Sequence, residues 1–152
     1  MLYVLALSIG VVAGLRAMIA PAAVAWAMRY GWIDVHGGWL AFLGYRWTPW
    51  VLTLAALGEL VTDQLPTTPS RKTPPQFAAR IASGALCGAA IGMADGHAIV
   101  AALLGAIGAA IGTHFGAAAR ANLARAFVAD RPAALLEDAV AILAAGLIVA
   151  TL

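Results

Sequence analysis

The stretch 132-PAALLEDAVAILAAGLIVATL-152 decides the class of this protein. After Glu137 and Asp138 it carries no charge as far as Leu152. A helix needs ~20 apolar residues to cross a hydrocarbon core ~30 Å thick. Counted back from Leu152, such a span reaches Pro132, a residue suited to a first helical turn. Glu137 and Asp138 then lie about 8 Å inside one edge, at ~1.5 Å per residue. A charge at that depth costs a few kcal/mol, so it faces the protein interior or a wet cavity and marks a candidate functional site. The bland alternative is a late helix start, with both carboxylates at the headgroups beside the positive helix N-terminus.

The whole chain reads the same way. Of 152 residues, 63% are hydrophobic and 11% charged, and mean hydropathy is +0.91. A soluble domain carries about 25% charged residues, and one of this length has nowhere to hide so much apolar surface. A soluble enzyme and a disordered chain are both excluded. Cys87 stands alone, so no intramolecular disulfide forms, and its small neighbours make it a packing residue. His36, His97 and His114 are scattered, which leaves no clustered ligands for zinc. Ser8, Ser70 and Ser83 lack a nearby base, and no Gly-x-Ser-x-Gly occurs. No enzyme activity, cofactor or metal is therefore expected. A net charge of +2 is too small for a nucleic-acid surface.

Working back from the last span, the expected fourth is His97–Ala119, followed by a basic connection Arg120–Arg131. The third is Pro75–Met93, containing Arg80 and closed by the turn Ala94-Asp95-Gly96. Pro66, Pro69, Pro74 and Pro75 force extended or turn geometry before it. The second opens at Thr48-Pro49 and runs to about Leu65, carrying Glu59 and Asp63. A longer version would start at Trp39 and bend at Pro49. Residues 29–48, with Trp32, Trp39, Tyr45 and Trp47, suit a headgroup interface, into which Leu40–Gly44 dips. The first apolar run, Leu2–Met28, has no basic region before it and reads as a retained helix, not a signal peptide. Arg16 falls mid-run, and Pro21 has no N–H for the carbonyl of Ala17. Counted from Met1, twenty-eight residues stretch about 42 Å, more than the bilayer core, so this first helix is expected to be kinked or discontinuous.

The fold expected is a single all-α integral membrane domain over 1–152 with about five transmembrane helices. Arg71, Lys72, Arg120, Arg125 and Arg131 fall on one side, against Arg29 and Arg46 on the other. The positive-inside rule then places the N-terminus in the cytoplasm and the C-terminus in the periplasm, across a bacterial inner membrane.

Charges inside the spans give the candidate site. Glu59 and Asp63 are spaced i, i+4 and share a helix face. With Glu137 and Asp138 they make four carboxylates against two arginines, Arg16 and Arg80. An acidic excess suits a cation or an exchangeable proton. The alternative is an ion-pair latch that only fixes helix register. Gly84-x3-Gly88-x3-Gly92 continues the spacing of Arg80, and Gly108-x3-Gly112-x3-Gly116 forms a second ladder. Such ladders let helix backbones approach closely, within one chain or between subunits, and a homodimer or higher oligomer is expected. Arg71-Lys72 with Thr68, Ser70 and Thr73 offers a lipid-phosphate contact, or more simply a topology signal.

Gly14-Leu15-Arg16 with Pro21, Glu59-Leu60-Val61-Thr62-Asp63-Gln64-Leu65-Pro66, Pro74-Pro75 through Arg80 to Gly84-Ala85, and Glu137-Asp138 together resemble a family of small bacterial membrane proteins catalogued only as a domain of unknown function. The resemblance covers nearly the whole chain, and its most specific piece is Glu-x3-Asp-x2-Pro followed by the later Glu-Asp pair. It implies that the acidic pairs and Arg80 are the family's signature, and it brings no activity. The family usually has a lysine after its Asp, where this chain has Gln64. A short likeness between Leu57–Pro66 and Arg125–Pro132 hints at a repeat, as transporters with broken helices show. The function expected is a small transporter or channel for an ion or small polar solute. Glu59, Asp63, Glu137 and Asp138 are its binding site, and Arg16 and Arg80 balance their charge. The alternative is a scaffold or assembly factor with structural ion pairs.

Overall fold

The apolar run at the N-terminus makes two helices. In the computed structural model, which describes residues 1–34, 38–64, 73–127 and 130–152, α1 (Leu2–Leu15) stops at Arg16, whose backbone is extended (φ −139°, ψ 113°), and α2 (Ile19–Arg29) follows. Pro21 sits in the first turn of α2, where it does not interrupt the helix. After a 3-10 turn at Ala41–Gly44 come α3 (Thr48–Thr62), α4 (Pro74–Met93), α5 (Ala98–Phe127) and α6 (Asp130–Ala150). The described residues hold no strand. Thr48-Pro49 and Pro74-Pro75 open helices as their sequence suggests. The expected basic loop after Ala119 is instead helix as far as Phe127. The reason is local: Ala117–Phe127 contains no glycine or proline, and Ala, Leu and Arg are strong helix formers.

Two stretches, Ala98–Ala126 and Pro132–Ala150, are long and apolar enough to cross a membrane. α1 and α3 are apolar but shorter, at 14 and 15 residues. These lengths do not confirm a count of five spans. α4 and α5 are antiparallel, with Gly84 against Gly105, Gly88 against Ala101 and Gly92 against His97. α1 lies beside α5 in the same sense, Gly10 against Gly105 and Gly14 against Thr113. Were α1 and α2 one span, strict alternation would set α1 against α5.

The first apolar run is therefore a helical hairpin. Glu59 meets the start of α2 and Thr53 meets Trp26 near its end, so α2 runs opposite to α3. α3 delivers Asp63 to Arg16, between α1 and α2. α5 and α6 form a second hairpin, across which Arg120 reaches Glu137. α2 then shares a groove with α3 and with the Ile142–Val149 part of α6. All six helices shuttle between two ends of one bundle. One end gathers the tip of the first hairpin, Asp63 and the starts of α4 and α6. The other gathers the start of α1, the aromatic segment, the Ala94–Gly96 turn and the end of α6. Met1 and Leu152 lie at the same end, not at opposite ends as five spans required.

Beside an apolar core, large apolar side chains also face outward and several polar ones are buried. Leu54, Leu57 and Val61 of α3, Ile99, Leu103 and Phe115 of α5, and Leu143 and Leu147 of α6 face outward. Arg16, Arg80, Ser83, Thr113, Glu137 and Asp138 are buried. Tyr30, Trp32, Trp39, Tyr45, Trp47 and Trp50 are exposed around one end, and Trp26 packs between Tyr30 and Trp50.

Candidate functional site

Breaking a helix leaves backbone groups without partners, and a buried backbone group must find one. Charged side chains supply them here. The last carbonyls of α1, on Gly14 and Leu15, accept from Arg80 Nη1 at 3.0 and 2.7 Å. The first N–H groups before α2, on Ala17 and Met18, each donate to one carboxylate oxygen of Glu59, both at 2.8 Å. Each charge matches the end it occupies: Glu59 sits at the positive start of α2 and Arg80 at the negative end of α1. Their side chains approach to 3.5 Å. The carbonyl of Ala17, which Pro21 cannot serve, accepts from Ser83 Oγ at 2.5 Å. The Thr113 hydroxyl lies 2.8 Å from the Ala109 carbonyl and 3.3 Å from that of Gly14.

Arg16 occupies the tip itself, with 0% of its side chain exposed. Its Nη1 pairs with Asp63 of α3. Its Nε donates to Asp138 Oδ1 at 2.6 Å, and Nη2 lies 2.5 Å from Asp138 and 3.7 Å from Glu137. One guanidinium thus ties α3 and α6 to the first hairpin. Breaking such a buried pair by removing one partner costs about 3–5 kcal/mol.

All six residues expected at the site converge there, and a seventh joins them. Arg120 Nη1 lies 4.0 Å from Asp63 and 3.9 Å from Glu137, and Nη2 donates to the Asp63 carbonyl at 3.2 Å. It arrives because α5 continues past Ala119. The sequence did carry a signal for it: Gly108-x3-Gly112-x3-Gly116-x3-Arg120 mirrors Arg80-x3-Gly84-x3-Gly88-x3-Gly92. In each case an arginine ends a glycine ladder on the packed face, and because α4 and α5 are antiparallel both arginines reach the same end. Among the described residues the cluster holds four carboxylates and three guanidiniums, not the four and two expected. A cavity of about 140 Å³ adjoins it, bounded by Leu15, Arg120, Leu123, Glu137 and Val140.

Both ladders are occupied within the chain. A Cβ on Gly88 would overlap the Ala101 carbonyl, and one on Gly112 the backbone of Val11. Among the described residues no three His, Cys, Asp or Glu side chains converge on a metal-sized site. Cys87 is buried, and His97 and His114 make ring contacts with Tyr3 and Phe77. His36, Thr68, Ser70, Arg71, Lys72 and part of the suggested repeat lie outside the described residues.

No curated protein and no solved structure matches the chain. The model of the family described as a domain of unknown function, DUF4126, matches residues 3–151, so the chain belongs to that family.

Proposed function

We propose that the protein is an integral protein of a bacterial inner membrane and a small transporter or channel for an ion or small polar solute. The observation that carries this reading is Arg16: fully buried, at the tip of a broken helical hairpin, and held by carboxylates from two further helices. Discontinuous helices meeting at a polar site inside the bilayer are how many secondary transporters bind their ions. Ionised groups inside a membrane are expensive and are functional candidates by default. In this reading Asp63, Glu137 and Asp138 receive the cation or proton, and Arg16 and Arg120 set the field around them. α4 begins six residues before Arg80 and α6 seven before Glu137, so the cluster lies about 10 Å below that face at ~1.5 Å per residue. Arg125, in the last turn of α5, and Arg131, in the first turn of α6, belong to the same face, which the positive-inside rule makes cytoplasmic. Both chain ends then face the periplasm, and the first hairpin enters from that side. With the ladders occupied, we place self-association on the apolar outer faces.

A second reading draws on a different observation. Glu59 and Arg80 spend their hydrogen bonds capping the broken helix, which is what a latch in a scaffold or assembly factor would do. Flux assays on purified protein in liposomes separate the two. Proton or monovalent-cation flux above that of empty liposomes, abolished by Glu137→Gln, supports transport. A well-folded parent protein that moves neither overturns it in favour of the scaffold.

A further inference from the structure

The charge cluster is not the molecule's largest opening. An apolar groove of about 390 Å³ runs along the outside of the bundle. α2 forms its floor with Ala22, Ala23 and Trp26, α3 one wall with Leu57 and Leu60, and α6 the other with Gly146 and Val149. Its mouth is ringed by Tyr30 and Trp32 at the aromatic end of the bundle. Arg29, next in sequence to Tyr30, is exposed on the last turn of α2 and is not part of the groove lining.

From the geometry of this groove we infer that it is a binding site for one acyl chain of a phospholipid, with the phosphate at the Arg29–Trp32 end. The inference rests on the membrane placement proposed above and not on any flux. Its length suits that occupant. From Ile19 to Tyr30 the floor rises about 16 Å at ~1.5 Å per residue, which is one leaflet of a hydrocarbon core ~30 Å thick. A single polymethylene chain, packing at carbon separations of about 3.5–4.0 Å, fits. Charge and polarity agree along the length: the walls are apolar, Trp and Tyr mark headgroup depth, and a guanidinium next in sequence to Tyr30 suits a phosphate.

Gly146 supports the same reading. Other glycines of the bundle, such as Gly88 and Gly112, press against a neighbouring backbone, but a Cβ on Gly146 would meet nothing within 4 Å. No helix contact demands glycine there, and any larger side chain would project into the groove. Gly58 of α3 is also open, with nothing within 4 Å, and it lies outside the groove lining. The two make a matched pair for the test.

The full-length protein is extracted in detergent, delipidated and examined by native mass spectrometry. It is also reconstituted into phosphatidylcholine nanodiscs containing phosphatidylglycerol with brominated acyl chains, which quench tryptophan emission. The site predicts one phospholipid retained per chain and saturable quenching. Gly146→Leu weakens both by about tenfold or more, Arg29→Gln weakens lipid retention, and Gly58→Leu changes neither. Equal behaviour of Gly146→Leu and Gly58→Leu overturns the site. So does a parent protein that retains no lipid, or a Gly146→Leu variant whose effect is loss of oligomer with lipid binding unchanged. Membrane placement is checked separately: protein released from membranes by alkaline washing alone would sink that premise without a lipid measurement.

Discussion

Ser83 hydrogen-bonds a carbonyl that Pro21, four residues along from Ala17, cannot serve. Removing the hydroxyl leaves that buried carbonyl unsatisfied, at about 1–3 kcal/mol. Ser83→Ala should lower the thermal midpoint of detergent-purified protein, and adding Pro21→Ala should recover part of the loss by restoring an N–H. An additive double variant would show that the two residues do not share the Ala17 carbonyl. At this scale the sequence was readable where a residue was out of place: Arg16, Arg80 and the four carboxylates stand out because charge in an apolar run demands a partner. Arg120 was hidden by its position next to Arg125 and Arg131, where a basic loop is the simpler reading. Ser83 was hidden too, because its partner lies 66 residues away, and only the packing of α4 on the hairpin tip brings them together.

The helices pack backbone to backbone, and that governs what each glycine tolerates. A leucine at Gly88 or Gly112 would have to displace the main chain of α5 or α1. That exceeds the ~1–3 kcal/mol typical of overpacking by side chains alone. Gly58→Leu, on an open face, should stay within about 0.5 kcal/mol of the parent. Equal melting temperatures for all three variants would contradict this packing. Element starts were legible because proline marks first turns, as at Thr48-Pro49 and Pro74-Pro75. The reversal at Arg16–Met18 was not, because that tripeptide holds no glycine or proline. Its direction is set from outside the segment, by Glu59 on one side and Arg80 on the other. A pattern read along one strand of sequence registers a break there but not which way the chain leaves it.

At the scale of the molecule, the two hairpins put both chain ends on one face and the charge cluster near the other. Topology reporters fused at Met1 and at Leu152 should report the same compartment, and one inserted beside Arg71 the opposite one. Termini in different compartments would undo the hairpin reading of Leu2–Arg29. The geometry also divides the cluster into two jobs. Glu59 satisfies two backbone N–H groups at once, and Gln offers one acceptor oxygen, so Glu59→Gln should cost about 1–3 kcal/mol. Glu137 stands farther from Arg16, at 3.7 Å, than does Asp138, at 2.5 Å, so Glu137→Gln leaves Arg16 with Asp63 and Asp138. The decisive measurement is thermal stability beside proton and cation flux in liposomes for the parent, Glu59→Gln and Glu137→Gln. An ion-carrying cluster predicts that Glu137→Gln melts near the parent and loses flux, while Glu59→Gln melts well below it. Glu137→Gln that transports like the parent, or that loses as much stability as Glu59→Gln, would contradict it.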